Sequence, residues 1–156
     1  MYKGFEAIFD KNSKILILGS FPSVKSREVG FYYANKQNRF WKMLGQIFGE
    51  EVGETIETKK EYLLKHNIAL WDIVKSSDIE GSLDKNLKNV EVVDLNEVLT
   101  KAKIEKIICN GKKAYNLFTK SYPNLKAIYL TSTSSANGWY DVEKWKSELN
   151  RSKTCI

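Results

Sequence analysis

Four short, mostly apolar runs punctuate the chain, each closed by small or polar residues. Residues 14–18 (KILIL) run into Gly19-Ser20, and residues 68–74 (IALWDIV) run into a polar stretch. Residues 106–109 (KIIC) run into Asn110-Gly111, and residues 127–130 (AIYL) into TSTSSANG. Such runs, bounded by turn-forming residues, predict buried strands. Between them the spacing turns helical. Residues 38–48 place Phe40, Leu44, Ile47 and Phe48 on one helix face, with Asn38 as the starting residue. Helices are also predicted over 57–66, over 94–102 with Asp94 as its cap, over 112–121 ending before Pro123, and over 139–150. Residues 75–90 are polar and contain Gly81, which predicts a loop, with residues 81–84 (GSLD) as a turn and cap. Strands alternating with helices imply one α/β domain over residues 1–156, its mostly parallel sheet covered on both faces.

Parallel sheets bind ligands beyond the carboxyl ends of their strands. Four segments lie there: residues 19–38, 72–84, 110–111 and 131–138. The first contains GFYYANKQNRFW (30–41), five aromatic side chains beside a run of amide and basic residues. A core segment would not carry so many amides, so rings and amides are expected at a binding edge. Gly19-Ser20-Phe21-Pro22-Ser23 reads either as an ordinary strand-to-helix turn or as a loop that lets a ligand approach the backbone. The hydroxyl-rich run 131–138 reads either as a solvated helix cap or as a phosphate grip. Asn110 offers a donor and an acceptor to a flat heterocycle, or simply forms an Asn-Gly turn. Asp72 is a structural turn carboxylate, a water-positioning group or a base. No Walker or dinucleotide-binding glycine fingerprint occurs.

Composition narrows the picture. The chain has 156 residues, 42% of them hydrophobic, enough for a sizeable core and too many for a disordered chain. No apolar run is long enough to span a bilayer, and the N-terminus lacks the apolar segment of a secretory signal, so a cytoplasmic protein with no membrane partner is expected. The net charge of +6, with 25 basic against 19 acidic residues, permits a polyanionic partner. Cys109 and Cys155 show no metal-binding or disulfide spacing. His66, the single histidine, closes a helical stretch and reads as a structural residue at a helix end.

Taken in order, GSFPS (19–23), GFYYANKQNRFW (30–41), LWDI (70–73), GSLD (81–84), CNG (109–111) and STSSAN (132–137) resemble the uracil-DNA glycosylase superfamily. They are most similar to its hypoxanthine-DNA (DNA-deoxyinosine) glycosylase branch. The resemblance implies a three-layer α/β/α fold with a four-stranded parallel sheet. It also implies a monofunctional enzyme, without metal or cofactor, that flips a deaminated base from DNA and hydrolyses its N-glycosidic bond. Carried over by position, Tyr33 is the aromatic that stacks on the flipped base, with Asn110 and Phe21 as its other contacts. Asn38 is the catalytic amide. Ser20, Ser23, Ser132, Thr133, Ser134 and Asn137 are implied to hold the DNA backbone. A monomer acting on DNA with deaminated bases is expected. Phe21 stands where most of the superfamily has an Asp or Asn, an absence the closest branch shares. Asn35-Lys36 and Ser135 stand where relatives commonly have His-Pro and Pro. A non-catalytic lesion-binding module and a nucleoside-processing enzyme on the same scaffold are the alternatives.

Overall fold

The computed structural model describes residues 1–79, 87–138 and 140–151. The turn and cap expected at 81–84, the first position of the last predicted helix and Cys155 lie outside the described residues. The elements in chain order are β1 (Tyr2–Lys3), β2 (Ile15–Gly19), α1 (Val24–Val29), α2 (Phe40–Phe48), α3 (Ile56–Lys65), β3 (Ile68–Asp72), β4 (Val74–Ile79), β5 (Leu87–Val92), α4 (Asn96–Leu99), β6 (Lys106–Asn110), α5 (Lys112–Ser121), β7 (Ile128–Leu130) and α6 (Val142–Arg151).

The four apolar runs form one parallel sheet in the order β3-β2-β6-β7, the central layer of a three-layer α/β/α fold. Every residue of β2 and β3 is buried, as a strand covered on both faces must be. The register brings Gly19 opposite Asp72, Leu18 opposite Cys109 and Asn110 opposite Leu130. Gly19, Asp72 and Asn110 therefore lie along one carboxyl edge. α3 packs on β3, and α5 on β6 and β7. Trp145 of α6 is fully buried and donates from Nε1 to the Thr131 carbonyl at 2.9 Å, which fastens that helix to the segment leaving β7.

The expected loop at 75–90 is corrected. β4 and β5 pair antiparallel, with β1 on the far edge of β4, in a second, three-stranded sheet. Beyond Val74, the hairpin hides serines where a strand would be expected to hide apolar side chains. Ser76 and Ser77 are buried, and Ser77 Oγ has its single hydrogen between two acceptors, the carbonyls of Asp78 at 2.8 Å and Lys88 at 2.9 Å. The register also slips between Val74 and Asp78, so no clean alternation marks the strand. A second difference is α1, inside the expected first loop. Ser23 Oγ accepts from Ser26 N at its start, and Gly30 ends it with a left-handed φ of 85°. The helix expected over 94–102 shortens to α4, with Asp94 Oδ1 accepting from Asn96 N.

His66 closes α3, stacks on Phe48 with ring centroids 4.1 Å apart, and turns Nε2 toward Glu50. This is the structural place its sequence context indicated. Cys109 is fully buried, and burial pushes its thiol up to about 12.

Replacing Trp145 with alanine removes the largest fully buried side chain and its bond to the loop after β7. It should cost about 3–5 kcal/mol in urea unfolding. A loss below about 1 kcal/mol would show that α6 does not brace that loop.

Candidate active site

At the shared carboxyl edge lies a cavity of about 130 Å3. Pockets for drug-sized ligands run about 300–1,000 Å3, so this one suits a single flat heterocycle. Phe21, Tyr33 and Asp72 form part of its wall, and Asn38, Asn110 and Thr133 bring it side-chain amides and a hydroxyl.

Four of the predicted residues converge through bonds among themselves. Asn110 Nδ2 donates to Tyr33 Oη at 3.1 Å and to Thr133 Oγ1 at 3.0 Å. Asn110 Oδ1 accepts from Thr133 N at 3.0 Å. Thr133 Oγ1 in turn donates to Asn38 Oδ1 at 2.9 Å, and that same oxygen accepts from Phe40 N at 2.9 Å. The backbone donors fix both amide orientations: a flipped Asn38 or Asn110 would set an NH2 against a peptide N–H. Asn38 therefore has its carbonyl oxygen filled and keeps both Nδ2 hydrogens. Asn110 has both hydrogens filled and keeps a lone pair on Oδ1.

Tyr33 is built into this cavity under strain. Its φ is 50°, a left-handed backbone that costs a bulky L residue about 1–2 kcal/mol. Its ring lies on Phe40, 4.3 Å between centroids and 26° from parallel, and its hydroxyl meets Asn110. Ser26, buried under the turn, accepts from Ala34 N at 3.0 Å and holds the next residue. Burial, and then the negative field of Asp72, push the Tyr33 hydroxyl above its ordinary range. Gly19 makes room for both groups, because a Cβ there would overlap Asp72 Oδ1 and lie 2.8 Å from Tyr33 Oη. Of the other rings in the 30–41 stretch, Phe31, Tyr32, Phe40 and Trp41 are core residues. Of the expected aromatic set, Tyr33 lines the cavity and Tyr32 reaches it from the core, whereas Phe31, Phe40 and Trp41 are not among its lining residues.

The remaining predicted residues divide. Phe21 is 5% exposed and lines the cavity, as do the half-buried Ser20, Ser23, Ser132 and Ser134. Ser23 Oγ caps α1, Ser132 Oγ accepts from Ser134 N, and Ser134 Oγ accepts from Ala136 N. Asn137 Nδ2 donates to the Ser132 carbonyl, and its own carbonyl accepts from Arg39 Nη2 at 2.9 Å. Thr133 is corrected: it is 0% exposed, and its hydroxyl is engaged by the two amides, so it cannot hold a DNA phosphate.

Sequence reasoning missed this junction and the brace formed by Arg39. Arg39 bonds Thr133 O through its backbone, reaches Asn137 O, and lies 4.5 Å over the Tyr140 ring. The one trace in the sequence is the Thr-Ser-Thr-Ser alternation at 131–134, which the structure turns into buried Thr131 and Thr133 beside half-buried Ser132 and Ser134, the strand period of two carried past β7. Among the described residues no three His, Cys, Asp or Glu side chains cluster as a metal site requires.

Residues 7–152 match the family described as the uracil DNA glycosylase superfamily. A hypoxanthine DNA glycosylase of Methanosarcina acetivorans is 40% identical over 114 residues, 72% of each chain. One of Methanosarcina barkeri is 34% identical over 142 residues, covering 86% of this chain and 87% of the relative. A solution structure from Methanosarcina acetivorans, titled as a candidate uracil DNA glycosylase, aligns with a TM-score of 0.83 at 32% identity. It covers 97% of this chain and 98% of that one.

Gly19→Ala should lower stability by about 1–3 kcal/mol, because neither the Asp72 carboxylate nor the Tyr33 hydroxyl can yield without breaking the edge. Unchanged unfolding in urea would show that the two do not share that space.

Proposed function

The chain belongs to the uracil DNA glycosylase superfamily, and from that premise we propose that it removes hypoxanthine from DNA by hydrolysing the bond between the base and C1′. The deaminated nucleotide leaves the duplex at a cost of a few kcal/mol, smallest where the base is mispaired. It enters the cavity and stacks on Tyr33, whose position is fixed by Phe40 and Asn110.

One observation carries this reading: the site presents donors from Asn38 and a single acceptor lone pair from Asn110. Hypoxanthine offers the complementary edge, a carbonyl oxygen beside a ring N–H. Adenine, its parent base, offers the opposite edge, an amino group beside a bare ring nitrogen. Each unmatched buried polar group costs about 1–3 kcal/mol, so two mismatches reject adenine strongly. Uracil and xanthine share the carbonyl and N–H pattern and are secondary substrates; guanine and thymine share it too, and their stable pairing in the duplex is what keeps them out.

In the reaction the C1′–N bond breaks and its electron pair stays on the base. A water oxygen bonds to C1′, and a proton from that water ends on the departed base. The products are free hypoxanthine and an abasic sugar. Asn38 has no useful pKa and is no general base; its Nδ2 hydrogens stabilise the negative charge that grows on the leaving base. Asp72, the one carboxylate among the described lining residues, supplies a negative field that favours positive charge on the sugar. Ser20, Ser23, Ser132, Ser134 and Asn137 hold the DNA backbone, and the +6 net charge draws the polyanion in. The protein acts as a monomer in the cytoplasm.

The test is incubation with duplexes containing inosine, uracil or xanthine, followed by alkaline strand cleavage. Inosine should give an abasic product, and no product from any duplex rejects the proposal. Asn38→Ala should slow excision about 100-fold or more. Asn38→Asp should be at least as slow, because it removes the donors and keeps the acceptor; wild-type rates in Asn38→Asp would contradict the donor role.

A further inference from the structure

Thr133 has no task in the mechanism above, yet it is the only described residue bonded to both site amides. Its backbone N–H holds Asn110 Oδ1, while its hydroxyl accepts from Asn110 Nδ2 and donates to Asn38 Oδ1. A hydroxyl has one hydrogen. Because Asn110 can only donate from Nδ2, that hydrogen must go to Asn38. The chain of bonds thus has one direction, from Asn110 through Thr133 to the Asn38 oxygen.

The consequence falls on Asn38. This residue is half-buried in the loop just before α2, and Phe40 N is the other group that restrains its amide. With the Thr133 hydroxyl in place, both lone pairs of Asn38 Oδ1 are filled, which leaves Nδ2 as the group this cavity-lining residue can offer a ligand. Without it, Phe40 N still sets which end is the oxygen, but the side chain hangs on that one bond and is free to swing. Asn110 is different, since it keeps Thr133 N and Tyr33 Oη even when the hydroxyl is gone.

We propose that Thr133 is a positioning residue that holds the Asn38 amide, already oriented by Phe40 N, against swinging, so that its donor stays where the leaving base arrives. It acts through Asn38 and does not touch the base or the DNA. This rests on the excision reading, and the test is arranged to separate the two. Thr133→Val keeps the shape and removes the hydroxyl; it should slow single-turnover release of hypoxanthine about 10-fold. Thr133→Ser, which restores the hydroxyl, should rescue the rate. In an Asn38→Ala background, Thr133→Val should add less than about a 2-fold loss, because the side chain it holds is absent.

A purely structural role predicts equal losses in both backgrounds and would overturn the proposal, as would a Thr133→Ser rate as low as that of Thr133→Val. If the valine variant does not fold, the Thr133→Ser and Thr133→Ala pair makes the same comparison with less bulk. One readout needs no turnover: the 15N order parameter of the Asn38 side-chain NH2. It should stay near about 0.8 in the wild type and Thr133→Ser and fall below about 0.6 in Thr133→Ala. An unchanged value in Thr133→Ala sinks this inference, whereas a wild type that releases no hypoxanthine sinks the substrate reading.

Discussion

Burying an amide obliges it to find partners, and at the carboxyl edge of this sheet that obligation organises the site. Asn110 ends β6 almost out of reach of water, where an unbonded amide would cost about 1–3 kcal/mol for each orphaned group. Its partners come from two other parts of the chain, Tyr33 in the turn before α2 and Thr133 after β7. Satisfying one buried amide thus pulls three segments together, and Asn38 joins through the Thr133 hydroxyl. The network leaves little freedom of sign, because each remaining donor or acceptor at the cavity is what the internal bonds do not use.

The same edge explains the strain stored around Tyr33. A tyrosine at a φ of 50° persists where its ring, its hydroxyl and the following peptide are all held, here by Phe40, Asn110 and Ser26. Gly19 belongs to that arrangement because a side chain would occupy the place of Asp72 and Tyr33. The four neighbouring rings are the anchor that lets a turn rich in amides keep a fixed shape. Phe31 and Trp41 stack 5.9 Å apart, and Trp41 Nε1 donates to the Tyr32 carbonyl at 3.1 Å.

Much of this was legible in the chain because the central sheet is parallel. A strand buried on both faces must be apolar throughout, so β2, β3 and β6 stand out; the edge strand β7, with Tyr129 exposed, shares the apolar pattern, and the four ends locate Gly19, Asp72, Asn110 and the hydroxyl run. The β4–β5 hairpin was not legible, because its buried side chains include Ser76 and Ser77, which look like loop residues until their bonds are seen. Helix α1 was hidden for a related reason: six residues, VKSREV, carry no apolar face, although Ser23 and Gly30 flank it as caps. The role of Thr133 was lost among five adjacent hydroxyls, where composition gives every one of them the same chemistry. The alternation of burial along that run separates a threonine that faces the amides from serines that face the cavity mouth.

The central claim is one of polarity: Asn38 gives a hydrogen bond to a flipped base, and Asn110 receives one. It is tested most directly by a crystal structure of the protein on a duplex carrying a non-hydrolysable deoxyinosine analogue. The base should lie against the Tyr33 ring, with an Asn38 Nδ2 hydrogen bond of about 3 Å to a base acceptor and Asn110 Oδ1 accepting from the ring N–H. A base seated elsewhere, or one that meets the Asn38 carbonyl oxygen instead of its NH2, would contradict it.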